Sequence, residues 1–195
     1  MPTLDHLFAN NRRWAADMES REPGFFAQLA AQQKPQYLWI GCSDSRVPAN
    51  EIVGLRSGEL FVHRNVANLV IHTDLNCLSV LQYAVDVLRV GHVIVCGHYH
   101  CGGLEAALSA KSHGLIDNWL GHIRDLYEQH EAALSAIADP VQRNRRFCEL
   151  NIAHQVRNVC RTTVVQDARR RGQTVRVHGW VYDIRDGLLH DLAID

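Results

Sequence analysis

Two short stretches of this 195-residue chain combine side chains suited to holding a metal and working on a small molecule beside it. The first reads Cys42-Ser43-Asp44-Ser45-Arg46 and the second His98-Tyr99-His100-Cys101. Zinc favours thiolate and imidazole donors in a tetrahedron. Cys42, Cys101 and His98 would neutralise the ion and leave one position open, the pattern of a catalytic rather than a closed structural site. A lone His-x-x-Cys says little in a chain with twelve histidines and six cysteines. Its placement after one apolar run, with Cys-x-Asp after another, says more.

Blander readings stay open at this point. The two cysteines could be small buried hydrophobes beside a satisfied core histidine, or Asp44 could close a purely structural zinc site. A thiol redox pair formed by Cys42 and Cys101 is a further reading; the absence of a Cys-x-x-Cys pair and the presence of His98 argue against it. His100 is poorly spaced from Cys101 to be a ligand and reads as a loop side chain near the site.

The elements around these motifs follow from apolar patterning. Residues 3–33 look helical, with a break at Pro23-Gly24. Tyr37-Leu38-Trp39-Ile40 is a short apolar run followed by Gly41, as a buried strand ending in a loop would be. Glu59–His63 reads as a second strand, and Asp74 is placed to cap a helix over Leu75–Arg89. His92–Cys96 is the clearest buried strand, followed by a helical pattern over 104–110. Two longer helical stretches cover about 115–138 and 141–171, the second ending in Arg169-Arg170-Arg171-Gly172, cations and a glycine suited to a helix end. Strands are expected at 174–181 and 188–194.

This alternation implies an α/β fold with a mainly parallel central sheet flanked by helices, preceded by an N-terminal helical arm of about residues 1–33. With no repeat or Ser/Gly linker, residues 1–195 read as a single domain. In such sheets, sites form beyond the carboxyl ends of the strands, where both cysteine-bearing loops fall.

Bulk properties narrow the function classes. A net charge of −1 and a pI of about 6.9 advertise neither a nucleic-acid nor a membrane partner. No apolar run approaches the roughly 20 residues that span a bilayer. The opening MPTLDHLFANNRRW interrupts its apolar residues with polar and charged ones, unlike a signal peptide, so a cytoplasmic location with reduced thiols is expected.

Three segments together, Trp39-Ile40-Gly41-Cys42-Ser43-Asp44-Ser45-Arg46-Val47-Pro48, Phe61-Val62-His63-Arg64-Asn65-Val66-Ala67-Asn68 and Cys96-Gly97-His98-Tyr99-His100-Cys101-Gly102-Gly103, resemble the β-class carbonic anhydrases. The resemblance extends from the N-terminal helices to Gly179-Trp180-Val181-Tyr182. It implies reversible hydration of carbon dioxide to bicarbonate and a proton by one zinc ion per subunit, held by Cys42, His98 and Cys101. Zinc lowers the pKa of a bound water from 15.7 toward roughly 7, giving hydroxide at usable pH. Two thiolates leave that water less acidic than three imidazoles would, so activity is expected to rise on the alkaline side.

Asp44 can reach the fourth zinc position, and Arg46 can instead capture it through a charge-assisted bond. The resemblance implies that this dyad gates the site. It also implies a small carbon dioxide pocket near Phe61, Val66 and Gly102, with Gln33 and Tyr83 reaching it from a neighbouring subunit of a homodimer or dimer-of-dimers tetramer. A bacterial, bicarbonate-regulated (type II) subset is more similar still. There, residues matching Trp39, Arg64 and Tyr182 form a non-catalytic bicarbonate site that favours Asp44 on zinc. Asn50-Glu51 departs from that subset, whose acidic residue stands one place earlier, so the loop after Val47-Pro48 is expected to move differently. Two alternatives accompany this reading: a non-catalytic zinc protein closed by Asp44, and a carbon disulfide or carbonyl sulfide hydrolase on the same scaffold.

Overall fold

The computed structural model describes residues 3–194. The chain divides into two compact units, residues 1–34 and 35–195. The first unit holds helix α1 (Asp5–Arg21) and helix α2 (Phe25–Ala31). The break between them is at Pro23-Gly24, where Gly24 takes φ +84°, a left-handed conformation that glycine adopts without steric cost. Its N–H donates to Glu19 Oε1 at 2.6 Å. Trp14 meets Phe26 edge-on, with centroids 5.5 Å apart.

The second unit is built on a five-stranded sheet. In chain order its elements are β1 (Tyr37–Cys42), α3 (Ala49–Ile52), β2 (Leu60–Asn65), α4 (Leu75–Gln82), β3 (His92–His98), α5 (Gly102–Leu108), α6 (Ile116–Gln129), α7 (Glu131–Ser135), α8 (Pro140–Arg161), α9 (Thr163–Arg170), β4 (Arg176–Asp183) and β5 (Leu188–Asp191). The strand order is β2-β1-β3-β4-β5. The first four strands are parallel, and β5 pairs antiparallel with β4. The α/β class and mainly parallel sheet agree with the sequence expectation.

The register sorts side chains between the two faces. Leu38, Ile40, Val93, Val95 and Val181 join the main core, whereas Trp39, Ile94 and Cys96 form a second, smaller cluster with Ala49 and Leu60. Helix α8 closes the larger core. Pro140 opens it, Asp139 caps it by accepting from the Val141 N–H, and Phe147, Cys148, Ile152, Val156 and Val159 are buried at helical spacing. Its Ile152 lies so close to the sheet that a Cβ on Gly97 would stand 2.7 Å from Ile152 Cγ1. Glycine in β3 thus lets α8 approach the strand that ends in His98.

Several boundaries differ from the sequence reading. The helix beginning at Leu75 is capped by Asp74, as expected, but changes to π-helical geometry at Tyr83–Val87. The stretch 115–138 is two helices divided at His130. The stretch 141–171 is divided at Thr162, whose hydroxyl accepts from the Val165 N–H and so starts a new helix. The last strand stops at Asp191, and α3 follows Pro48 where no helix was expected. No helix among the described residues is long and apolar enough to cross a membrane.

Candidate metal centre

Cys42 ends β1 and His98 ends β3, neighbouring strands of the sheet. After His98 the chain turns sharply: the Tyr99 N–H donates to the Tyr182 carbonyl at 3.0 Å, and His100 takes φ +57°. That turn places Cys101 at the N-cap of α5. Cys42, His98 and Cys101 are all buried, and their ligand atoms lie within 4.8 Å of one another.

The donor set fits zinc. The two sulfurs are 3.9 Å apart, close to the roughly 3.8 Å edge that a tetrahedron with 2.3 Å Zn–S bonds requires. His98 Nδ1 faces the Tyr99 carbonyl at 3.0 Å. A carbonyl only accepts, so Nδ1 carries the proton and Nε2 presents a lone pair. That Nε2 is buried with no hydrogen-bond partner, as a nitrogen reserved for a metal would be. The bond between the sulfurs holds Cys42 well below the usual thiol range and pushes Cys101 above it, with burial adding to the rise at Cys101. Of the buried thiols outside this group, burial first, and then the nearby Asp74 carboxylate, push Cys77 up to about 12. Burial likewise drives Cys96 and Cys148 upward.

Asp44 lies at the mouth of this group. Its Oδ1 accepts the Arg46 backbone N–H and Nε, both at 2.9 Å, and its Oδ2 accepts Arg46 Nη2 at 2.6 Å. This is a bidentate fork. The Arg46 guanidinium first, opposed by burial and aided by the Arg46 backbone N–H, holds the carboxyl well below the usual carboxylate range. Oδ2 also stands 3.7 Å from His98 Nε2, so the carboxylate borders the metal ligands while remaining on the arginine. Arg46 Nη2 also donates to the His100 carbonyl at 3.1 Å, which ties the two motif loops together.

The remaining sequence candidates divide into groups. The rings of Phe61 and Tyr83 lie 5.8 Å apart, and Val66 abuts Gly103, where an added Cβ would come 2.8 Å from Val66 Cγ1. Gly102 opens α5. Gln33 is exposed in the first unit. Trp39, Arg64 and Tyr182 share the sheet face of the smaller core cluster by register. Trp39 is fully buried with its indole over Gly41, and Tyr182 is half-buried. Arg64 is pinned to main chain: Nε donates to the Cys42 carbonyl at 2.8 Å and Nη2 to the Asp44 carbonyl.

Sequence reasoning missed the residues that brace the metal loop from α8. Cys148 Sγ donates to the His98 carbonyl at 3.1 Å, and the Tyr99 hydroxyl donates to Glu149 Oε1 at 2.9 Å. The available signal was that Arg145, Cys148 and Glu149 fall on one helical face.

Comparison with known proteins agrees with this geometry. The family model described as carbonic anhydrase matches residues 37–189. A carbonic anhydrase of Emericella nidulans is 52% identical over 99% of this chain and 85% of its own length. A tetrameric β-carbonic anhydrase of the filamentous ascomycete Sordaria macrospora superposes with a TM-score of 0.92 at 38% identity, covering 97% of this chain and 96% of that one. The Coccomyxa β-carbonic anhydrase, solved with acetazolamide, gives 0.93 at 39% identity over 98% and 87%. These names show the β class and do not single out the bacterial type II subset. With a Cys–His–Cys group that fits zinc at the carboxyl ends of its central strands, this chain belongs to the carbonic anhydrase family, in its β class of zinc enzymes.

Proposed function

We propose that this protein hydrates carbon dioxide reversibly to bicarbonate and a proton, with zinc held by Cys42, His98 and Cys101. The observation that carries this reading is the buried His98 Nε2, partnerless beside two facing sulfurs and bordered by an ionised Asp44. Zinc bound there supplies Lewis acidity that makes water a usable nucleophile near neutral pH. Asp44, kept ionised by Arg46, is a hydrogen-bond acceptor at the mouth of the site and orients a water or relays its proton to solvent. Its fork to Arg46 favours an open fourth position and disfavours the non-catalytic, Asp44-closed reading.

The dyad would act as the gate: Asp44 held by Arg46 leaves the fourth donor position free, and Asp44 released from Arg46 could fill it. Phe61, Val66 and Gly102 supply the small carbon dioxide pocket, with Gln33 and Tyr83 reaching it from a partner subunit of a dimer or tetramer; the tetrameric Sordaria proteins support self-association. Bicarbonate at Trp39, Arg64 and Tyr182 inhibits by favouring the closed state. Arg64 supports this regulation because it holds the carbonyls of Cys42 and Asp44, so an anion drawing on the guanidinium would loosen the loop that carries Asp44. Six free cysteines suit the reducing cytoplasm.

The test is stopped-flow carbon dioxide hydration across pH, with zinc measured on the same sample. Activity should rise toward alkaline pH; stoichiometric zinc with no hydration there would sink the enzyme reading. Arg46→Ala should keep its zinc and lose roughly a hundredfold or more in kcat/KM, as loss of one preorganised charged contact does. Full activity would remove the dyad from the account. Trp39→Phe and Tyr182→Phe should each weaken bicarbonate inhibition by roughly tenfold, the scale of one hydrogen bond to an ion. Unchanged inhibition would locate regulation elsewhere.

A further inference from the structure

Helix α8 reaches the metal loop with three residues of one face. Arg145 lies over the Tyr99 ring, its guanidinium carbon 3.6 Å from the centroid, and donates to Asp183 Oδ2 at 2.7 Å. Cys148 donates to the His98 carbonyl, and Glu149 accepts the Tyr99 hydroxyl. Glu149 is itself steadied by Arg146, whose Nη1 donates to Oε2 at 3.0 Å. Tyr99 is thereby fixed at three points: its hydroxyl by Glu149, its ring by Arg145 and its N–H by the Tyr182 carbonyl.

One atom of Tyr99 remains, its carbonyl oxygen, and that atom accepts the His98 Nδ1–H. The direction of this carbonyl sets the tautomer and the ring plane of His98, and hence where Nε2 points. A tyrosine between two motif residues would need no such anchorage merely to fill space; a phenylalanine would do that. A buried phenol bound to a carboxylate on a separate helix instead makes the position of the loop depend on α8.

We propose that Glu149 is a positioning residue for the metal centre, acting through the Tyr99 hydroxyl to hold the Tyr99 carbonyl against His98. The inference rests on the zinc reading above. Tyr99→Phe and Glu149→Ala should each weaken zinc binding by roughly 10–100-fold, the scale for outer partners of a metal ligand. The double variant should lose no more than either single one, because both cut the same path. Glu149→Gln, whose amide oxygen still accepts the phenol proton, should recover most of the loss.

The measurements are zinc affinity by chelator competition and the absorption spectrum of the cobalt-substituted protein, which reports ligand geometry independently of turnover. A shifted cobalt spectrum in Tyr99→Phe, reverting toward wild type in Glu149→Gln, supports the assignment. Zinc affinity within about twofold of wild type in both Tyr99→Phe and Glu149→Ala, with unchanged cobalt spectra, overturns it even if the melting temperature falls. A wild-type protein that holds no zinc brings down the functional reading itself, an outcome the wild-type sample alone reveals.

Discussion

Cys101→Ala is expected to lower bound zinc from about one ion per chain to under about one tenth, and to cut carbon dioxide hydration by more than roughly a thousandfold. Cys101 supplies one of three buried donors and stands at the N-cap of α5. Removing its sulfur leaves one thiolate and one imidazole, too few to hold zinc against water and chelators. The same substitution at Cys77 or Cys96 should leave zinc content unchanged. Neither thiol belongs to the group formed by Cys42, His98 and Cys101. Zinc measured by mass spectrometry and hydration by stopped flow on all three variants decide the matter. Retained zinc in Cys101→Ala, or zinc loss in Cys96→Ala, would contradict the assigned donor set.

The largest effect on stability is expected from Gln155→Leu. Gln155 is only 2% exposed, yet none of its polar atoms is wasted. Oε1 accepts the Val70 N–H at 2.9 Å and Nε2 donates to Asn151 Oδ1 at 2.9 Å. Asn151 in turn donates to the Ala67 carbonyl at 3.1 Å, and Asn158 donates to the Val70 carbonyl at 3.0 Å. Three side chains of α8 thus satisfy main-chain groups of Ala67 and Val70, and Asn65 satisfies those of Leu69, in the segment that follows β2. Leucine fits the volume and leaves the Val70 N–H and Asn151 Oδ1 without the partners that Gln155 supplies. Each orphan costs about 1–3 kcal/mol, so the melting temperature should fall by roughly 5–20 °C. Calorimetry on wild type and variant tests this; a melting temperature within about 1 °C of wild type would show that the network contributes nothing.

The strands that carry Cys42 and His98 were legible because fully buried strands leave unbroken apolar runs, and the candidate Cys–His–Cys group because its members follow directly on two such runs. Asp74 was legible as a cap because its role is local. Arg64 was not legible as a brace on the Cys42 and Asp44 carbonyls, since that role depends on the pairing of Gly41 with Arg64 across two strands. Asn151 and Gln155 defeat periodicity for a related reason: they are polar residues on the buried stripe of α8, placed there to satisfy backbone more than eighty residues away in sequence. Breaks at His130 and Thr162 escaped because neither is a glycine or proline; Thr162 stops one helix by capping the next.

His100 occupies left-handed backbone space at φ +57°, a conformation that costs a residue with a Cβ roughly 1–2 kcal/mol. The turn between His98 and Cys101 is therefore a loaded spring, kept in place by Tyr99 and by the hold of Arg46 on the His100 carbonyl. Once those restraints are cut, the turn should relax abruptly instead of loosening by degrees. Amides at 99–101 should then exchange with solvent by local opening, at a free energy well below that needed to expose the interior of β3.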